Sequence, residues 1–130
     1  MAKAKILVID DNIFIGKLMA TRLTANDYEV IIATCGAQGL EKAAQEKPQL
    51  ILLDFTMPDM DGVQVGKKLK ENPVTANIPV IMVTARSEHA LVVKAMESFG
   101  PAAYVTKPFN PEKLLAEVER VLKINQEKNA

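Results

Sequence analysis

Five residues whose types can do chemistry stand at or just past the ends of apolar runs in this 130-residue chain: Asp10, Asp11, Asp54, Thr84 and Lys107. Three carboxylates in one site repel one another, and this raises at least one pKa unless a cation joins them. Oxygen ligands without His or Cys point to Mg²⁺, or to a similar ion such as Mn²⁺. An ammonium and a hydroxyl group could then bind an anionic group on the metal. The set suits phosphoryl transfer to a carboxylate, which would give an acyl phosphate.

The apolar runs that precede these residues predict strands. They cover residues 5–10, 29–34, 50–54, 79–84 and 103–106, and together they are rich in β-branched residues. Each run is almost continuously apolar, which is typical of strands that are covered on both faces. A segment of helical period follows every run. The alternation predicts an α/β fold, a doubly wound five-stranded parallel sheet with helices on both faces and right-handed crossovers.

This fold would bring the candidate residues together. In a doubly wound sheet, ligands bind beyond the carboxyl ends of the strands, where the strand order reverses. The three acids, the threonine and the lysine follow four different strands, so their side chains are expected to converge on one edge. One polar residue at a strand end is common, whereas five of these types at the functional edge are not expected by chance.

Helix signals agree with the alternation. Asn110 and Pro111 suit the N-cap and first position of the last helix, and "KPQ" at 47–49 and "ENP" at 71–73 should end the second and third helices. We expect a single domain with a core at about 4–124 and an unordered polar tail at 125–130. The predicted core stripe of the first helix is Ile15, Leu18, Met19 and Leu23, and that of the last is Leu114, Leu115, Val118, Val121 and Leu122.

Charge and composition exclude several classes of protein. The 16 basic and 16 acidic residues give a formal net charge of zero, which argues against direct nucleic-acid binding through a basic surface. The single Cys35 excludes an intramolecular disulfide and fits a reducing compartment. The apolar stretch near the start is too short for a signal peptide, and no run is long enough to span a membrane. We therefore expect a cytoplasmic protein.

Four fragments carry a resemblance to a known family. In order and spacing, "ILVIDDN", "LILLDFTMPDMDG", "VIMVTA" and "YVTKPF" resemble the receiver domain of two-component response regulators. Each fragment alone is a weak motif, but together they are highly specific, and the likeness covers about residues 4–124. It implies the flavodoxin-like (βα)5 fold with strand order 2-1-3-4-5, as in chemotaxis members of the family.

The resemblance also implies a role for each site residue. Asp54 would accept a phosphoryl group from a histidine kinase or a histidine phosphotransfer protein. Asp10 and Asp11 would hold Mg²⁺ together with Asp54 and the backbone carbonyl of Thr56. Thr84 and Lys107 would bind phosphoryl oxygens, and Thr84 would shift inward. Tyr104 matches an aromatic switch position, and the bond between Lys107 and Pro108 matches a peptide that is usually cis.

Structural alternatives exist for several of these residues. Asp10 and Asp11 could cap the first helix, and Thr84 could cap the fourth. Tyr104 could be an ordinary core aromatic residue.

Other side chains near the predicted edge also allow two interpretations. Ile13 and Phe14 lie off the core stripe beside the acidic pair, so they could dock a partner's helical bundle, or Phe14 could fold back under a loop. Asp59 and Asp61 are expected to be loop and N-cap residues rather than metal ligands.

Alternative functions fit the residues less well. An aspartyl-nucleophile phosphatase of the haloacid dehalogenase type would carry Asp-x-Asp after the first strand, and a nucleotide or flavin module would carry a Gly-rich turn there. The chain has "DDNIFIG" instead. We expect a free-standing receiver that catalyses only its own phosphorylation and dephosphorylation, although it could be the receiver portion of a longer regulator with an output domain. A downstream protein target, and a monomer that could dimerise on phosphorylation, are further expectations.

Overall fold

A computed structural model describes residues 2–55, 57, 59–85, 89–108 and 110–128, the side chains of 127 and 128 excepted. Strands and helices alternate along the whole of this chain. The strands are β1 (Lys5–Ile9), β2 (Glu29–Ala33), β3 (Leu50–Asp54), β4 (Val80–Ala85) and β5 (Ala103–Lys107). The helices are α1 (Ile13–Thr24), α2 (Gly36–Glu46), α3 (Gly62–Glu71), α4 (His89–Ser98) and α5 (Pro111–Lys128).

The five strands form one parallel sheet in the order β2-β1-β3-β4-β5, which confirms the predicted fold and strand order. The register brings the carboxyl ends level with one another. Asp54 of β3 pairs with Val83 of β4, and Thr84 of β4 pairs with Thr106 of β5. The residues that follow or end β1, β3, β4 and β5 therefore lie along one edge of the sheet.

Side chains of the sheet alternate between two apolar layers, as the period of two in a strand requires. One layer packs under α1 and α5, and the other packs under α2, α3 and α4. In the first layer the strands contribute Ile6, Val8, Leu50, Leu52, Ile81, Val83 and Val105. In the second they contribute Leu7, Ile9, Ala33, Ile51, Leu53, Val80 and Met82. Burial on both faces explains why the runs are continuously apolar.

Side-chain caps fix where three of the helices begin. The Asn12 side chain accepts hydrogen bonds from the backbone N–H groups of Phe14 and Ile15, so Asn12 caps α1 and the reading of Asp10 and Asp11 as its caps is wrong. Asp61 caps α3 in a capping box with Gln64, as expected for this acid.

The predicted cap of the last helix is also present. Asn110 accepts from the backbone N–H of Glu112 at 2.8 Å, and Pro111 is the first residue of α5.

Two details of the helices differ from the sequence predictions. Leu18 is 50% exposed, and the buried stripe of α1 runs instead through Gly16, Met19 and Leu23. Gly16 faces the sheet at this point, where a β-carbon would lie in ordinary van der Waals contact with Ile32, 3.5 Å from its Cγ2. The predicted disorder after Ile124 is wrong for residues 125–128, because α5 continues through them with Val121 and Leu122 anchoring its last turns. Within the described part of the chain, no helix combines the length and apolarity needed to cross a bilayer.

Candidate functional site

Three carboxylates meet at the carboxyl edge of the sheet. Asp10, Asp11 and Asp54 each offer one oxygen atom, and these oxygens all lie within 4.8 Å of one another. Asp10 is fully buried and Asp54 is 5% exposed, whereas Asp11 is exposed to solvent. The predicted convergence of the acids is confirmed, since β1 and β3 are neighbours in the sheet and end side by side.

Lys107, at the end of β5, supplies positive charge to this cluster. Its Nζ atom donates a 2.9 Å hydrogen bond to Oδ1 of Asp54 and lies 3.5 Å from Oδ2 of Asp10. The longer contact is an ion pair and not a hydrogen bond: Oδ2 of Asp10 is buried and has no hydrogen-bond partner among the described residues. The other oxygen of Asp10 accepts from the backbone N–H of Asn12 at 2.9 Å.

One lysine faces three carboxylates, and burial has the largest effect on the pKa values of the site. Burial raises the pKa of Asp54 from 3.8 to about 6; the hydrogen bond from Lys107 opposes the rise and the charge of Asp10 adds to it. Burial also raises the pKa of Asp10, against the opposing effects of the Asn12 N–H and Lys107. Burial acts to lower the pKa of Lys107, but the hydrogen bond and charge of Asp54 outweigh it and the pKa is raised. The site is short of positive charge.

The arrangement fits a hard divalent cation. Within the described part of the chain, Oδ2 of Asp10 is a buried acceptor without a donor, and such an atom is costly unless a cation or another polar partner satisfies it. Two buried carboxylates and the exposed carboxylate of Asp11 give the oxygen-only donor set that Mg²⁺ takes, with room for waters on the solvent side. Thr56, expected to contribute its carbonyl, lies outside the described residues.

The predicted switch residues lie beside the acids. Thr84 is buried at the end of β4, whereas Tyr104 of β5 is 42% exposed, so the reading of Tyr104 as a core aromatic residue is wrong. Both line a groove of about 910 Å³ between α4, β5 and α5, to which Lys107 also contributes. The peptide bond between Lys107 and Pro108 is cis, as the resemblance implied. Residues 86–88, which precede α4, lie outside the described residues, so the alternative of Thr84 as a cap of α4 stays a prediction.

An apolar surface flanks the acids on the other side. Phe14 is 81% exposed and Ile13 is 46% exposed, both in the first turn of α1. The reading in which Phe14 folds back under a loop is wrong. The exposed Leu18 lies one turn after Phe14 on the same side of α1, with Ile13 beside them, and we call these three residues the apolar strip of α1.

One contact near the site was missed by sequence reasoning. Asp59, which was expected only to be a loop residue, accepts hydrogen bonds from the backbone N–H groups of Gly36 and Ala37, each at 2.9 Å. These two bonds lower its pKa, the bond from Ala37 more than that from Gly36. The partners are 22 and 23 positions away in the chain, and no local pattern could have indicated the pairing.

Comparison with known proteins agrees with this geometry. A sequence profile described as "Response regulator receiver domain" matches residues 6–119. The alkaline phosphatase synthesis transcriptional regulatory protein PhoP of Bacillus subtilis is 40% identical over 92% of this chain and 48% of its own length. The response regulator PleD of Caulobacter vibrioides is 42% identical over 88% of this chain and 25% of its own length. This chain therefore spans about half or less of these curated relatives.

Solved structures match over the full length of a receiver domain. A CheY-like response regulator receiver domain protein from Methanospirillum hungatei superposes with a TM-score of 0.88 at 31% identity, covering 95% of this chain and 97% of that one. The similarity therefore includes the whole sheet and the edge on which the acids lie.

Proposed function

Since this chain belongs to the response regulator receiver domain family of two-component systems, we propose that it accepts a phosphoryl group on Asp54 from a histidine kinase or a histidine phosphotransfer protein. The supporting observation is the cluster of three carboxylates within 4.8 Å, with Lys107 hydrogen-bonded to Asp54. As expected of this family, the protein would act as a switch that catalyses only its own phosphorylation and dephosphorylation.

The transfer would use a carboxylate oxygen of Asp54 as the nucleophile. A bond forms between this oxygen and phosphorus while the bond from phosphorus to the donor's imidazole nitrogen breaks, and the electron pair stays with the nitrogen. The carboxyl group must be ionised to attack. With a pKa of about 6, it is mostly ionised at neutral pH, yet more basic than an exposed aspartate.

The residues around Asp54 would place and stabilise the phosphoryl group. Asp10, Asp11 and Asp54 would hold Mg²⁺, with the carbonyl of Thr56 as the resemblance implies. When bound, this ion neutralises negative charge on the phosphoryl oxygens. Lys107 would exchange its hydrogen bond to the free carboxylate for one to a phosphoryl oxygen, which costs little rearrangement because its Nζ already lies 2.9 Å from Asp54.

Phosphorylation would then change the conformation of the groove between α4, β5 and α5. The hydroxyl of Thr84 would move toward the phosphoryl group, and Tyr104, now 42% exposed, would move into the space beside it. The modified carboxylate needs to favour the inward arrangement by only a few kcal/mol to shift the population. A changed face on α4, β5 and α5 would bind a downstream protein target, or a second copy of the chain.

The donor would dock beside the acids on α1. Ile13 and Phe14 lie within four residues of Asp10 and expose large apolar side chains. A helical bundle that carries the donor histidine could cover this strip and reach Asp54 at the same time, because the strip and Asp54 both lie at the carboxyl edge of the sheet.

Intact mass spectrometry tests the proposal. The protein is incubated with Mg²⁺ and acetyl phosphate, beside Asp54→Asn and a sample containing EDTA. An adduct of one phosphoryl group that requires Mg²⁺ and is absent from Asp54→Asn is the expected result. If the wild type gains no adduct, and beryllofluoride with Mg²⁺ does not bind either, the protein is a receiver-shaped binding module and the proposal is wrong.

A further inference from the structure

The loop between β3 and α3 is attached to α2 as well as to the sheet. The carboxylate of Asp59 accepts from Gly36 N with Oδ1 and from Ala37 N with Oδ2, both at 2.9 Å. These N–H groups belong to the first turn of α2, where helical donors lack partners within the helix. Bonds from backbone N–H groups to an ionised carboxylate at a helix N-terminus are stronger than neutral ones.

Helix α2 has no local cap that could replace Asp59. Its N-cap residue, Cys35, makes no side-chain capping hydrogen bond, so the acid from the loop takes over this function. The loop also packs directly on the helix: a β-carbon on Gly36 would overlap Cγ of Met60 and would lie 3.1 Å from Cγ2 of Val65. Glycine at this position thus allows the loop to approach the backbone of α2.

The loop and α2, which Asp59 joins, each contact a residue that adjoins the acidic cluster. At its base, the loop closes through a 2.8 Å hydrogen bond from Gly62 N to the carbonyl oxygen of Phe55, the residue after Asp54. On the other side, α2 packs tightly on β1, since a β-carbon on Gly39 would lie 2.6 Å from Cδ1 of Ile9, the residue before Asp10. Asp59 therefore links the loop after Asp54, through α2, to β1, the strand that ends one residue before Asp10.

We propose that Asp59 is a positioning residue for the phosphoacceptor site: it holds the loop after Asp54 against α2 and thereby sets the cation affinity of the site and the rate of phosphoryl acceptance. The inference rests on the proposed function of Asp54. The loop continues directly from Asp54, which offers one oxygen of the acidic cluster, and a ligand beside a loop is only as well placed as the contacts that hold the loop.

A competing explanation is that Asp59 only stabilises α2 as a helix cap. If Asp59 only caps α2, a new cap on the helix should restore Mg²⁺ binding; if it holds the loop, a new cap should not. A cap can be supplied locally by serine at position 35, because this residue has the extended backbone of an N-cap, with φ −153° and ψ 166°. Such a cap repairs the helix without attaching the loop to it.

The experiment compares the wild type with Asp59→Ala, the double variant Asp59→Ala/Cys35→Ser, and Asp61→Ala. The last is a matched control, because Asp61 belongs to the same loop but caps α3. Urea denaturation reports stability, calorimetric titration reports Mg²⁺ affinity, and amide hydrogen exchange reports opening of the loop. The rate of adduct formation with acetyl phosphate is followed by intact mass.

We expect Asp59→Ala to weaken Mg²⁺ binding roughly 10-fold, the lower end of the effect of groups that orient ligands. The double variant should regain stability but keep the weak Mg²⁺ binding, the fast loop exchange and the slow phosphorylation. Asp61→Ala should lose stability while its Mg²⁺ affinity changes much less. The proposal is overturned if serine at position 35 restores Mg²⁺ affinity, if Asp59→Ala leaves affinity and loop exchange unchanged, or if Asp61→Ala weakens Mg²⁺ binding equally.

Hydrogen exchange and the Mg²⁺ titration need no phosphoryl donor. They test Asp59 separately from the acceptance of a phosphoryl group by Asp54, which the wild-type adduct alone decides. Failure of one proposal can therefore be distinguished from failure of the other.

Discussion

Lys107 Nζ donates a 2.9 Å hydrogen bond to Asp54 Oδ1, and this bond connects the end of β5 to the end of β3 across the intervening strand β4. The two residues are 53 positions apart in the chain. The bond places an ammonium where a transferred phosphoryl group would carry negative charge, and it partly offsets the repulsion among the three carboxylates.

Replacing this ammonium should destabilise the protein in a pH-dependent way. We expect Lys107→Met to lower the free energy of unfolding at pH 7 in EDTA by about 1–3 kcal/mol, less than for a fully buried pair because the lysine side chain is 26% exposed. Near pH 4 the loss should shrink, because Asp54, with a pKa of about 6, is then protonated and no longer needs a counter-charge. Urea denaturation at both pH values measures the effect.

The control for that variant is Lys5→Met, which removes an exposed ion pair with Glu46. It should cost no more than about 1 kcal/mol from loss of the pair. An equal loss at both pH values for Lys107→Met would show that the lysine contributes packing rather than charge.

The raised pKa of Asp54 predicts that its ionisation opposes folding. Its carboxyl group binds a proton more tightly in the folded state, with a pKa of about 6, than in the unfolded state, with a pKa near 3.8. The stability gained from this tighter proton binding is fully present below pH 3.8 and is lost as the pH rises through 6. In EDTA, Asp54→Asn should therefore gain stability over the wild type at pH 7 by up to about 3 kcal/mol, and little at pH 3.5.

Urea denaturation across this pH range, with Asp27→Asn as the control, measures the gain. Asp27 is an exposed residue of the turn between α1 and β2 with φ 70°, a conformation that asparagine also adopts readily. If the free energy of unfolding of Asp54→Asn differed from that of the wild type by the same amount at every pH, ionisation of Asp54 would not oppose folding and the prediction would be wrong.

Mg²⁺ should stabilise the protein through the acidic cluster. At a free concentration ten times the dissociation constant, binding adds about 1.4 kcal/mol to the free energy of unfolding. Asp11→Asn should lose most of this gain while keeping its stability in EDTA, because Asp11 is exposed and contributes a ligand rather than packing. Thermal unfolding at increasing Mg²⁺ concentration measures the effect, and Asp27→Asn should respond as the wild type does.

The apolar strip on α1 should matter only for protein donors. Phe14→Ala removes a side chain that is 81% exposed, so stability should change by less than about 0.5 kcal/mol. Phosphorylation by acetyl phosphate should keep its rate, whereas transfer from the cognate kinase or phosphotransfer protein should slow roughly 10-fold or more, as for a residue at the centre of an interface.

Val74→Ala provides the control, because Val74 is also exposed but follows the carboxyl end of α3, away from the acids. Unchanged transfer from the protein donor to Phe14→Ala would exclude this residue from the docking surface.

Much of the fold was predictable because it depends on local patterns. Continuous apolar runs indicate buried parallel strands, and the caps at Asp61 and Asn110 depend on residues only two or three positions away. The burial of individual helix residues was less predictable. Leu18 matches the helical period but is exposed, because α1 presents the face of Gly16, Met19 and Leu23 to the sheet, and packing between distant segments selects that face.

By itself, the sequence determined the architecture and the position of the candidate site residues in it. Strand ends can be located from hydrophobicity, and parallel strands must bring their carboxyl ends to one edge, so the meeting of Asp10, Asp54 and Lys107 followed from their order in the chain. Only the tertiary structure decided which oxygen of Asp10 lacks a donor among the described residues, how far Asp54 is buried, and that Asp59 caps a helix 22 positions earlier. These properties depend on distances and solvent exclusion between segments remote in the chain, which local residue patterns do not specify.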